Sequence, residues 1–156
     1  MAIIKPNNNT ISAITALPAS IPTGKVLQVV SATSTSAANT SSTSVVSFMN
    51  ASITPSSSSN KIFCVFNGLG YANGTNNDLT ALIYRGTTSG TEICSTKQYD
   101  GGSSYHMYNL DCSVLDTPST TSAQQYTIGF RQSQSLYCEF GNSGHNTTLT
   151  LMEIAG

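Results

Sequence analysis

Ser44–Asn67 reads SVVSFMNASITPSSSSNKIFCVFN, two apolar runs on either side of a polar link. In the first run Val46 and Phe48 alternate with Val45, Ser47 and Met49. In the second, Ile62, Cys64 and Phe66 share one parity, and Phe63 and Val65 share the other. Side chains of a strand point to opposite faces in turn, so a period of two predicts a strand for each run. Pro55 ends the first strand, because proline fixes its own backbone angle and has no N–H for a ladder. Serines 56–59 and Asn60 follow, and Lys61 opens the second strand. The unit reads as a hairpin: two neighbouring strands closed by a polar turn.

The same grammar repeats outward from this unit. Upstream, Lys25–Ala32 reads as a strand, and the Ser/Thr-rich stretch Ser31–Ser44 reads as a loop. Downstream, Asn67–Asp78 (NGLGYANGTNND) reads as a loop, with Asn73-Gly74 as its tight turn. Strands are expected at Leu79–Tyr84, around Glu92–Thr96, and at Tyr105–Asp116, the last with His106, Tyr108, Leu110, Cys112 and Val114 on one face. Asp100-Gly101-Gly102 reads as a turn between the last two. Gln125–Gln132, Ser135–Phe140 and Thr147–Ile154 complete the set. In the last of these, Leu149, Leu151 and Glu153 alternate with Thr148, Thr150, Met152 and Ile154. Roughly nine or ten short strands at regular spacing predict an all-β fold, an antiparallel β-sandwich or jelly roll.

Met1–Thr23 differs from the rest. It carries six large aliphatics, Ile3, Ile4, Ile11, Ile14, Leu17 and Ile21, and Pro18 and Pro22 stop any long helix. It reads as an arm, extended or with one helical turn capped at Thr10, that docks on a subunit or host structure rather than on water. Gly24 marks the boundary, so the chain divides into an arm, 1–23, and a sandwich domain, 24–156.

Composition narrows the function classes. Only 8% of the 156 residues are charged, against roughly 25% in ordinary soluble proteins. Ser, Thr and Asn fill roughly a third of the chain. With a net charge of -1, no electrostatic case for nucleic acid exists. No apolar run reaches the length of a membrane span, and the opening MAIIKPNNN lacks the apolar core of a secretory leader, so neither is expected.

Four cysteines, Cys64, Cys94, Cys112 and Cys138, allow three disulfide pairings. Strand parity puts Cys64, Cys112 and Cys138 on apolar faces, where a free thiol acts as a small hydrophobe, so free thiols are expected. No C-x-x-C pair exists to hold zinc. No G-x-S-x-G elbow is present, and the glycines of NGLGYANG lack the context of a phosphate loop. His106 reads as a strand residue at a core edge or interface, and His145 as a loop residue. Asp111 and Asp116 bracket a strand end, where carboxylates are normally solvated. No catalytic, cofactor or metal residues are assigned, and no enzyme is expected. Tyr with Asn, Ser and Gly makes good contact surfaces for glycans. On that ground Tyr71, Asn73, Asn76, Asn142 and His145, in the loops Asn67–Asp78 and Gly141–Asn146, are the candidate ligand contacts.

Five stretches carry a resemblance: residues 3–26 (IIKPNNNTISAITALPASIPTGKV), 25–32 (KVLQVVSA), 53–62 (ITPSSSSNKI), 113–128 (SVLDTPSTTSAQQYTI) and 149–156 (LTLMEIAG). With them the chain resembles small virion structural proteins of tailed bacteriophages, particularly marine ones. The resemblance implies an appendage protein: a capsid decoration, a head fibre or a tail-fibre tip. It implies a β-sandwich head in a homotrimer, joined to the particle through its N-terminal arm. The partners expected are the chain itself, the major capsid protein or another virion structural protein, and a host-surface glycan. The expected location is the virion surface, after synthesis in the host bacterial cytoplasm. The sequence shows no coiled-coil or β-helical shaft, which favours a capsid decoration or short head fibre over a tail fibre. The rival readings are a receptor- or glycan-binding tail-fibre domain and a secreted lectin or carbohydrate-active enzyme.

Overall fold

The structure, a computed structural model, describes residues 24–100, 106–141 and 144–156. The arm residues Ile3, Ile4, Ile11, Ile14, Leu17 and Ile21, the turn at Gly101-Gly102, and Asn142 lie outside the described residues.

Among the described residues ten strands form: β1 Val26–Ser34, β2 Ala38–Thr40, β3 Val46–Ile53, β4 Lys61–Ala72, β5 Asn77–Arg85, β6 Thr91–Asp100, β7 His106–Asp116, β8 Gln124–Arg131, β9 Cys138–Phe140 and β10 Thr147–Ile154. They make two antiparallel sheets, an all-β sandwich as the alternation predicts. In one sheet, β4 carries β10 and then β9 along one edge and β7 along the other. β1 continues that sheet beyond β10, and β2 beyond β9. The second sheet runs β3-β8-β5-β6.

The predicted hairpin is not one. β3 pairs with β8 and β4 with β7, β9 and β10, so the two runs lie in opposite sheets. Each has an apolar face to bury, and across the sandwich those faces meet in one core, where Met49, Ala51, Ile53, Ile62, Cys64 and Phe66 are all buried. The Pro55–Asn60 link is therefore a crossover between layers. Strand β3 also switches faces. A register shift between Ser47 and Met49 turns Phe48 and Met49 inward in succession. A bulge does this by placing one extra residue against the partner strand.

The core centres on four phenylalanines drawn from both sheets. Phe140 stacks on Phe66 at 5.6 Å and on Phe130 at 5.2 Å, and Phe48 meets its edge at 5.1 Å. Room for these rings explains a second correction. The expected loop Asn67–Asp78 is strand as far as Ala72, because Gly68 and Gly70 occupy inward positions of β4. A Cβ at Gly68 would stand 2.5 Å from the Phe66 ring, and one at Gly70 would stand 2.1 Å from Leu79 Cδ2. Here the glycines mark close approach rather than a turn. The turn proper is the Asn73-Gly74 segment, where Gly74 and Asn76 have φ of 106° and 58°.

The Ser31–Ser44 loop is likewise interrupted: β1 reaches Ser34 and β2 covers Ala38–Thr40. Strand β9 is shorter than expected, because Gln132 donates from Nε2 to Leu136 O and receives Gln134 N at Oε1, closing residues 132–136 into a turn.

Candidate functional site

Three of the predicted contact residues, Tyr71, Asn73 and Asn76, lie near one another, and His145 lies apart from them. Tyr71 lies on the outward face of β4, with its ring 6.2 Å from that of Tyr137, edge to face. Asn73 N donates to Tyr137 O, and Tyr99 Oη donates to Asn76 Oδ1 at 3.0 Å. These three residues share the end of the sandwich where β4 turns into β5. His145 is exposed in the β9–β10 connection. That connection leaves at Gly141, whose N donates to Leu69 O, three residues short of the β4 end. His106 is exposed at the start of β7, beside Tyr108.

The ionisable groups are placed more tellingly. Glu153 follows Leu149 and Leu151 on the inward parity of β10 and is 1% exposed. Four donors surround it. Gln28 Nε2 reaches Oε2 at 2.7 Å, while Ser56 N at 2.6 Å, Ser56 Oγ at 2.8 Å and Asn60 Nδ2 at 2.6 Å reach Oε1. Burial by itself would raise this carboxyl, but the bonds from Asn60, Gln28 and Ser56 outweigh it and hold the pKa at about 2. Asn60 Oδ1 also receives Gly156 N, and Gln28 Nε2 also donates to Thr54 O. The serine-rich crossover is thus tied to the last strand through one carboxylate.

Asp116 corrects an expectation. It is not solvated at its strand end; it is 8% exposed and continues the inward row of Leu110, Cys112 and Val114. Tyr126, fully buried in the opposite sheet, donates to Asp116 Oδ2 at 2.7 Å, and Arg85 pairs with Oδ1 at 3.3 Å. Burial first, and the bond to Asp116 second, push the Tyr126 hydroxyl well above its usual pKa. Glu153 and Asp116 flank Ile62 from the two strands on either side, in one cross-strand row. Ile62 is fully buried between them, so the row is a packed seam and not a cleft.

A cleft of about 420 Å³ opens on the other sheet, lined among others by Thr43, Asp78, Thr80, Ser95, Lys97 and Arg131. Asp78 is buried there, paired with Lys97, and accepts Ser133 N at 2.9 Å and Ser133 Oγ at 2.7 Å. Burial opposes its charge, but Lys97 and Ser133 hold its carboxyl below the usual value. Hydroxyls with two cations and one carboxylate can hold a polar, hydrated ligand. They come from separate strands, so no local motif in the sequence announces them. Glu153, by contrast, was legible from its parity with Leu149 and Leu151.

All four cysteines are free: Cys64 and Cys138 are buried, and Cys94 and Cys112 are half-buried. Burial raises the thiols of Cys64, Cys112 and Cys138, the last to about 11. Among the described residues no cluster of His, Cys, Asp or Glu is arranged to hold a metal ion, and no helix is long and apolar enough to cross a membrane.

The architecture defines the chain as an antiparallel β-sandwich protein. No protein-family model matches it, and no curated protein matches it by sequence. Among solved structures it is similar to that of the infectious bursal disease virus Gx strain, at 12% identity and a TM-score of 0.43, over 82% of this chain and 38% of that one. It is similar also to the VP2 subviral particle of the same virus, at 12% identity and a TM-score of 0.41, over 83% of this chain and 38% of that one. The T13 particle of that virus gives 10% identity and a TM-score of 0.44, over 81% and 37%. The chain spans less than two fifths of the length of these chains. So distant a likeness assigns no role to any residue here.

Proposed function

We propose that the chain is a structural protein of a virus particle, a capsid decoration or short head fibre of a tailed bacteriophage. It is a homotrimer that attaches through its N-terminal arm and faces outward on the virion after synthesis in the host cytoplasm. Two supports meet in this reading. The first is the sequence resemblance over residues 3–32, 53–62, 113–128 and 149–156. The second, which carries the reading, is where the few charges go. Asp78, Asp116 and Glu153 are buried and bonded within the sandwich, and Lys97 and Arg85 pair with two of them. Three carboxylates that could do chemistry instead tie strands together, and the few exposed charges among the described residues, Lys25, Lys61, Glu92, Lys97, Asp111 and Arg131, are spread over a surface rich in hydroxyls and amides. No catalytic role belongs to this proposal.

The polar cleft around Lys97 and Arg131 favours one second reading, a glycan-binding domain on a tail fibre. Immunogold labelling of intact virions separates the two. Label over the head is expected; label confined to the tail would move the case to receptor binding, and no label would refute both. Deleting residues 1–23 should abolish particle attachment with the sandwich still folded, and continued attachment would refute the anchoring role.

A further inference from the structure

The outward face of the six-stranded sheet carries an apolar row that no single stretch of sequence shows. Val29 of β1 lies opposite Met152 of β10, Met152 opposite Phe63 of β4, and Phe63 opposite Leu115 of β7. Val29 is 57% exposed and Leu115 50%. The next row, Ser31, Thr150, Val65 and Ser113, is small and uncharged. Below, Val26 and Leu27 are exposed beside Ile154. Lys61 bounds this face at its foot and Asp111 at its top, and no ionisable side chain lies in the two rows between them.

We infer that this face is where copies of the chain pack against one another. Two observations select a second copy as the occupant. The first is charge: the two central rows offer nothing to an acidic or basic partner, and their match is a surface that is itself apolar and neutral. The second is the edge. Among the described residues β1 is the last strand of the sheet, nine residues long (VLQVVSATS), with no charge and no proline. Edges of that kind pair with other chains unless charge or proline blocks them. The inference rests on the structural-protein reading and names the surface that would hold its copies together.

The test is the mass of the full-length chain in solution by sedimentation equilibrium. The wild type should run at a multiple of 16.3 kDa. Val29→Asp with Leu115→Asp should weaken association by at least about a hundredfold, giving single chains of unchanged circular dichroism and melting. Ser89→Asp, in the β5–β6 turn, should leave the mass unchanged. A wild type that is monomeric at tens of micromolar would overturn the inference, as would a double variant that stays assembled. A monomeric wild type that loses particle attachment on Val29→Asp would assign the face to another virion protein, and that too overturns it. Virion labelling is read independently, so failure of this interface and failure of the virion reading are separate results.

Discussion

Glu153→Gln is the sharpest perturbation of this sandwich. The substitution keeps the shape and removes the charge that four donors address. At Oε1 the three bonds from Ser56 and Asn60 survive as neutral ones. At the other atom an amide N–H₂ now faces Gln28 Nε2, which also serves Thr54 O and cannot turn without losing that bond. A carboxyl held at about 2 instead of 4.5 reflects at most about 3 kcal/mol of preference for the charged form. Solvent screening near the end of the sandwich reduces this to about 2 kcal/mol. Downgrading charged to neutral hydrogen bonds gives the same order. For a chain of this size, about 2 kcal/mol lowers Tm by roughly 4–8 °C. The sign with pH follows from a depressed folded-state pKa. The stabilisation is complete above the ordinary carboxyl value of 4.5 and is lost as pH falls toward 2. Thermal melts of both proteins at pH 7, 4 and 2.5 should therefore show a gap that is full at pH 7 and closes with acid. A gap under about 1 °C at pH 7, or one that does not shrink at pH 2.5, would refute the reasoning.

Three further substitutions or titrations probe other parts of the frame. Gly70→Ala should destabilise by about 1–3 kcal/mol in urea melts, because its Cβ meets Leu79, Leu110 and Phe140 in a closed core; a neutral effect would show that the core yields there. Tyr126→Phe should cost about 1–2 kcal/mol by leaving Asp116 with one fewer donor, and an unchanged urea midpoint would show that Arg85 alone suffices. In thiol titration at pH 8, Cys64 and Cys138 should stay unreacted in the native protein and react in denaturant, since both are buried and their thiols raised. Rapid native labelling of all four would contradict the packing.

Much of the fold was legible along the chain. Period two in Val46–Phe48, Ile62–Phe66 and Leu149–Glu153 marked strands, because a pleated strand must alternate whatever it pairs with, although the bulge at Ser47–Met49 turns Phe48 and Met49 to the same side. The parity of Cys64, Cys112 and Cys138 was readable for the same reason. What failed were readings that treated a residue type as a local signal. Gly68 and Gly70 looked like loop and were strand, since their function is to admit Phe66, Phe140 and Leu79. Asp116 looked like a solvated strand end and was buried, since its partners Tyr126 and Arg85 come from the other sheet. The candidate contacts shared composition, and the structure keeps Tyr71, Asn73 and Asn76 at the β4–β5 end while His145 sits apart in the β9–β10 connection.

By itself, then, the sequence determined an all-β chain of roughly nine or ten alternating strands, poor in charge and rich in hydroxyls, because alternation and charge content are properties of the chain that folding does not rearrange. Partnership between strands was decided only in three dimensions. A polar link of a few residues between two apolar runs can close a hairpin or cross between sheets, and the choice depends on which faces bury each other. In this protein the crossover brings Glu153 to Ser56 and Asn60 from more than ninety residues away. The same pairing aligns Val29, Met152, Phe63 and Leu115 into one apolar row. Both features are sums over strands distant in sequence, and only the packed sheets add them up.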